Sequence, residues 1–182
     1  MNRGAALLMG AICLVAVLAP LIAPFDPTDQ ALQSALATPG TQRHLLGTDD
    51  LGRDVLSRVL YGARAALTVA VISVGLALIA GGSFGLASGL LGGRLESVVM
   101  GLMNGILSFP TVLLAITVIA AFGNGLVQVM GALAVVFTPL FARLVRAEVK
   151  SLKTRPYVLA SRLLGASLPE VVRFHLVPML LP

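Results

Sequence analysis

From Ser97 to Ala142 the chain runs 46 residues without an Asp, Glu, Lys or Arg. A helix crossing a bilayer needs about 20 apolar residues, so this run has room for two. Gly123-Asn124-Gly125 supplies a turn between them. Two shorter uncharged runs precede it, Gly4–Phe25 (22 residues) and Ala65–Gly93 (29 residues). Charged residues make up 12% of the 182, against about 25% in a soluble domain; the missing charge is the surface that water would need. Backbone groups in lipid must be satisfied internally, which helices do. No segment shows the ten-residue alternation of a membrane barrel. The expectation is an all-α integral membrane protein with about four transmembrane helices, roughly Ala5–Ala23, Leu67–Leu90, Val98–Phe122 and Leu126–Val145.

Lys and Arg in short loops set orientation. Arg3 precedes the first run, Arg94 follows the second, and the turn at Gly123–Gly125 has none. After the last run come Arg143, Arg146, Lys150, Lys153, Arg155, Arg162 and Arg173, against Glu148 and Glu170. Four spans put both termini on one side, and the basic tail marks that side as cytoplasmic. The connection Asp26–Arg64, where four Arg face five Asp, then lies outside. Arg3, the apolar core and small residues at Ala19 and Ala23 would also suit a cleaved signal peptide; with three spans following, the first serves as an uncleaved start helix.

Within the second span, Gly81-Gly82-Ser83-Phe84-Gly85 carries the small-xxx-small spacing that lets helices approach closely in lipid. Pro110 removes one backbone hydrogen bond from the third span and predicts a kink. In the outer connection, Val55, Leu56, Val59 and Leu60 form a helical apolar stripe with Arg53, Asp54, Ser57 and Arg58 off it. This reads as an amphipathic helix at the outer interface leading into the second span, its start capped by Thr48 or Asp49. Asp49, Asp50 and Asp54 do not read as a metal site, because Arg53 and Arg58 neutralise them.

Several function classes are excluded. The net charge of +5 sits beside apolar runs and is no nucleic-acid signal. Catalysis in a membrane would need ionisable residues in the spans, and His44 and His175 lie outside them, far apart. No Gly-Lys-Ser/Thr phosphate loop is present, so the chain should not bind ATP itself; no enzyme activity, metal or other cofactor is expected. Cys13, the single cysteine, forms no internal disulfide.

Separated motifs carry a more specific reading. Leu46-Gly47-Thr48-Asp49, Leu51-Gly52-Arg53-Asp54, Ser57-Arg58 and Tyr61-Gly62-Ala63-Arg64 are followed in order by Gly92-Gly93, Phe109-Pro110, Ala142-Arg143-Leu144-Val145-Arg146 and the segment from Gly165 to Pro178. This register resembles the inner-membrane permease subunits of bacterial ABC importers of the dipeptide, oligopeptide and nickel family. In particular it is similar to the second of the two paired permeases, the one with a long outer loop.

The resemblance implies a first helix and N-terminus over residues 1–25, an extracytoplasmic loop over 26–66 and a permease core over 67–182. It implies a bacterial inner-membrane subunit with no chemistry of its own, set in the lipid bilayer. Its implied partners are a second permease, cytoplasmic ATPase subunits and an extracytoplasmic substrate-binding protein. The implied cargo is peptides; the alternatives are nickel or a metal chelate, and a nonfunctional remnant. The family's ATPase-docking loop has a Glu-Ala-Ala…Gly pattern. The matching stretch implies docking by Tyr157, Leu159, Ala160, Ser161, Leu163, Leu164 and Gly165 on a short cytoplasmic helix from Tyr157 to Gly165. Leu159 replaces the usual acid, as in some nickel-type members; Asn104 and Gly101 stand where an acid and an Arg are common. Family members continue for roughly two more spans. The expectation is therefore a C-terminally truncated chain that does not transport alone, with a fifth helix starting near His175–Pro178.

Overall fold

The computed structural model describes residues 3–41, 43–123, 125–172 and 174. Seven α-helices are present among them: α1 Arg3–Ile22, α2 Val55–Leu91, α3 Gly93–Leu107, α4 Thr111–Phe122, α5 Leu126–Lys153, α6 Pro156–Leu163 and α7 Leu168–Val171. The extended pairing among the described residues is one bridge, Thr48 to Asp54. Helices α1, α2 and α5 are each long and apolar enough to cross a membrane. α3 and α4 qualify only together, as a pair bent by 93°. The chain forms two compact units, 1–71 and 72–182.

In the first unit, the outer connection is organised by buried polar groups rather than by an apolar core. Thr48 is buried; its hydroxyl accepts the Ala37 N–H at 2.9 Å and donates to the Ser34 carbonyl. Gly47 and Gly52 have φ of +77° and +76°. A Cβ on Gly47 would stand 2.4 Å from the Ala37 carbonyl oxygen, and one on Gly52 1.9 Å from that of Ala31. Both motif glycines are thus required by backbone shape and by space. Asp49 accepts the Leu51 and Arg53 N–H groups at 3.0 and 2.9 Å and pairs with Arg53 at 2.8 Å and Arg58 at 3.3 Å, the neutralisation read from the sequence.

Neither Thr48 nor Asp49 caps α2. The helix starts later, and Asp54 does the capping: its Oδ2 accepts the Ser57 N–H at 2.7 Å, three residues on. Oδ1 lies 2.9 Å from His44 Nδ1. Burial raises the Asp54 carboxyl pKa, but the hydrogen bonds from Ser57 and then His44 outweigh it and hold the group below the usual carboxylate range. The Phe25 N–H donates to Ser57 Oγ at 3.2 Å, and the Phe25 and His44 rings meet at 4.5 Å. The buried side of the α2 start is therefore polar, Asp54 and Ser57, while Val59 is exposed. The expected interfacial helix is not separate: α2 is continuous for 37 residues, because nothing between Val55 and Leu91 interrupts helical hydrogen bonding.

In the second unit, α2 and α5 pack through small residues. Ser73, Ala77, Gly81, Gly85, Ser88 and Gly89 are the buried face of α2 there. A Cβ on Gly81 would lie 2.4 Å from the Thr138 carbonyl oxygen; one on Gly85 would lie 2.5 Å from that of Ala142; one on Gly89 would lie 2.9 Å from Val149 Cβ. Partner numbers rise together along both helices, so they run parallel. α3 and α4 also pack on α5.

The third span is not one kinked helix. α3 ends at Leu107, with Ser108 as C-cap, and α4 restarts at Thr111 with Pro110 as N-cap. Pro110 disfavours helical backbone at Phe109 before it; Ser108 closes α3 by donating its N–H to the Asn104 carbonyl at 3.0 Å and its hydroxyl to that of Gly105 at 2.6 Å. The result is a 93° break. α5 continues to Lys153, past the expected end at Val145. The turn expected at Gly123–Gly125 is bounded by α4 and α5; its Asn124 lies outside the described residues, as does the fifth-helix start expected at His175–Pro178.

Candidate partner-docking surface

A short helix is present where one was expected from Tyr157 to Gly165: α6, Pro156–Leu163. Its start follows from sequence: Arg155 is extended, with φ −69° and ψ 140°, and Pro156 occupies the first turn, where a missing N–H costs nothing. Its end is Gly165 at φ +92°, a backbone conformation that favours glycine. The Gly165 N–H closes on the Arg162 carbonyl at 3.0 Å.

One side chain pins the helix. Val158 is fully buried with Val149, Leu152 and Val171, and Leu86, Leu90 and Val145 pack around them. This cluster joins α6 to the last turns of α5, the end of α2 and α7. With Val158 inward, the predicted site residues lie on the other faces. Leu163 and Leu164 are 88% and 89% exposed. Tyr157, Leu159, Ala160 and Gly165 are also exposed, and Ser161 is half-buried. Tyr157, Ala160, Ser161, Leu164 and Gly165 line an open groove of about 700 Å³ together with Ala166, Glu170 and Phe174. Leu159 and Leu163 do not line it.

Glu170 was not singled out by the sequence reading. It belongs to a capping box, Ser167-Leu168-Pro169-Glu170. Its Oε2 accepts the Ser167 N–H at 2.7 Å and hydroxyl at 2.8 Å. These two bonds, the backbone one first, hold the carboxyl below its usual range. The Ser-x-x-Glu spacing was the available signal.

A second polar assembly, also missed, lies behind α6. Glu96, in the first turn of α3, accepts Arg146 Nε at 2.7 Å and Lys150 Nζ at 2.6 Å, both through Oε1. Lys153 Nζ donates to the Gly89 and Leu90 carbonyls at 3.1 and 2.8 Å, satisfying the open C-terminal end of α2. Part of the basic tail is thus structural. The signal was a lone acid opening a span, opposite cations spaced i, i+4.

Residues 81–182 match the family described as binding-protein-dependent transport system inner membrane component. The dipeptide transport system permease protein DppC of Haemophilus influenzae is 40% identical over 97% of this chain and 63% of its own length. The di/tripeptide permease DppC of Pseudomonas aeruginosa is 42% identical over 91% of this chain and 57% of its own length. The nickel transport system permease protein NikC of Escherichia coli is 36% identical over 99% of this chain and 65% of its own length. The chain thus spans less than two thirds of each of these relatives. The all-helical build, the apolar spans and the profile match over the C-terminal part agree with the motif register from Leu46 onward, and the chain belongs to the family of binding-protein-dependent transport system inner membrane components.

Proposed function

We propose that the protein is a transmembrane permease subunit of an ATP-driven, binding-protein-dependent importer, with peptides as cargo. One observation carries this reading: α6 is anchored by Val158 into the ends of α2 and α5, while its other faces offer exposed Leu and low Ala and Ser surface. A helix held rigidly from behind and apolar in front suits a partner that must push on the spans. In this reading Tyr157, Leu159, Ala160, Ser161, Leu163, Leu164 and Gly165 receive a cytoplasmic ATPase. A second permease completes the pathway, and an external binding protein delivers cargo. Residues 1–25 and 26–66 form the first span and outer loop, residues 67–182 the core, with both termini cytoplasmic. Peptide cargo is supported by relatives named for dipeptide transport.

The test uses the permease with its partner subunits in cells lacking their own importer. Labelled dipeptide uptake is expected, and a cysteine placed at the exposed Leu163 should cross-link to the ATPase. Ala160→Arg should abolish both; wild-type uptake and cross-linking in that variant would refute docking through α6. Reporter fusions should read external at Gln33 and cytoplasmic at Ser151; the reverse would refute the topology. Nickel is the second reading, favoured by the NikC match over 99% of the chain; nickel uptake without dipeptide uptake would select it.

A further inference from the structure

The last two turns of α5 hold two kinds of contact on adjoining faces. Val149 and Leu152 join Val158 of α6 and Val171 of α7 in one apolar cluster. Arg146, Lys150 and Lys153, spaced i, i+4, i+7 on one face, bind elsewhere: the first two meet Glu96 of α3, and the third meets the α2 carbonyls. The Glu96 side chain is only 15% exposed, and both cations share its Oε1. It sits in the first turn of α3, where the helix dipole also favours an anion. The other end of α3 is the 93° break at Ser108–Pro110. α3 is thus a 15-residue helix, about 22 Å long, fastened at one end and bounded by the break at the other.

We infer that Glu96 is a positioning residue that fastens α3 to the docking helix through the end of α5, so that displacement of α6 reaches the break at Ser108–Pro110. The inference rests on the reading of α6 as the ATPase-docking helix. When α6 is driven, the Val158 cluster moves the end of α5. The carboxylate bridge then drags the start of α3 with it and changes the angle at the break. Lys153 carries the end of α2 along. Without Glu96, α5 moves and α3 is left behind.

The test measures ATP hydrolysis and cargo uptake by the assembled importer in proteoliposomes, with Glu96→Gln in the permease. Hydrolysis should persist while uptake per ATP falls about tenfold, the scale of an ordinary coupling free energy; Glu96→Asp should recover part of it. An uptake-to-hydrolysis ratio equal to wild type in Glu96→Gln would overturn the inference. Glu96→Gln leaves two cations without their partner and can damage folding on that account. The triple variant Glu96→Gln/Arg146→Gln/Lys150→Gln removes that cost. It should stay uncoupled; recovery of wild-type coupling there would show that the bridge transmits nothing. Cross-linking of a cysteine at Leu163 to the ATPase separates the two readings. Intact cross-linking with unchanged coupling refutes the role of Glu96 alone, and no cross-linking in the otherwise wild-type importer refutes the docking it rests on.

Discussion

The close approach of α2 and α5 can be tested by adding one methyl group at a time. A Cβ at Gly81 would stand 2.4 Å from the Thr138 carbonyl oxygen, 2.8 Å from Phe141 Cβ and 3.0 Å from the Ala142 nitrogen. Ordinary contact begins at 3.4 Å, so the helices must separate by about 1 Å, and two of the three obstacles are backbone that no rotamer change can move. Overpacking of this kind costs about 1–3 kcal/mol. Against it stands the helix-propensity gain of Gly→Ala, about 1 kcal/mol. Gly82, the next residue, has nothing within 4 Å of its added Cβ, so Gly82→Ala takes the gain without the clash. Gly81→Ala should therefore be less stable than Gly82→Ala by about 1–3 kcal/mol. Gly85→Ala should behave like Gly81→Ala, since its Cβ would meet the Ala142 oxygen at 2.5 Å. The double variant should cost less than the sum, because both clashes demand the same withdrawal of α5. Reversible SDS titration of the purified chain in mixed micelles reads these differences. Equal stability of Gly81→Ala and Gly82→Ala would show that the helices are not in backbone contact.

Three further outcomes follow from other parts of the molecule. Asp54 has its carboxyl pKa held below the usual range, so its contribution is complete above the unfolded value of about 3.9 and lost as pH falls through the lower folded value; hydrogen exchange over residues 44–57 should accelerate in that acid window, and Asp54→Asn should remove the dependence while costing about 1–3 kcal/mol for buried hydrogen bonds. Pro110→Ala restores an N–H and frees Phe109 to be helical; spin labels at Ser97 and Val118 should move apart as the 93° bend opens, and an unchanged distance would place its cause outside Pro110. Val158→Ala empties part of a fully buried site at about 1–3 kcal/mol, so exchange in α6 should rise while that in α4 does not.

The apolar runs located the helices, but charge misplaced their ends. Arg64 bounds the uncharged run of the second span, yet α2 passes through it from Val55; Arg146 and Lys150, beyond the expected end at Val145, likewise lie inside α5. A charge ends the lipid-facing stretch, whereas a helix ends where capping or backbone shape ends it. α6 was expected from the family's docking pattern as Tyr157–Gly165, and the backbone signals that bound it are Pro156 and Gly165. The break at Ser108–Pro110 was legible only as a kink: a proline inside a helix bends it, but a serine two residues earlier that closes the preceding turn lets the helix stop and restart. The inward turn of Val158 and the reach of Glu96 across to α5, 50 and 54 residues away in sequence, are tertiary facts that no local pattern states.

Parallel packing of α2 and α5 also bears on the bent pair between them. Each of the two is long and apolar enough to span, and two consecutive long spans that run the same way require one return between them. Only residues 92–125 are available for it. α3 has 15 residues and α4 has 12, about 22 and 18 Å of helix, each short of the roughly 30 Å hydrocarbon core. Neither is a crossing alone, and two separate crossings would have made α5 antiparallel to α2. Among the described residues three helices are long and apolar enough to cross, and four crossings result where the bent pair is counted as one span made in two pieces. In a span made in two pieces, irregular backbone is tolerated only against protein or a water-filled cavity. The residues that interrupt the helix, Ser108 to Pro110, lie at the end of α3 away from the carboxylate of Glu96.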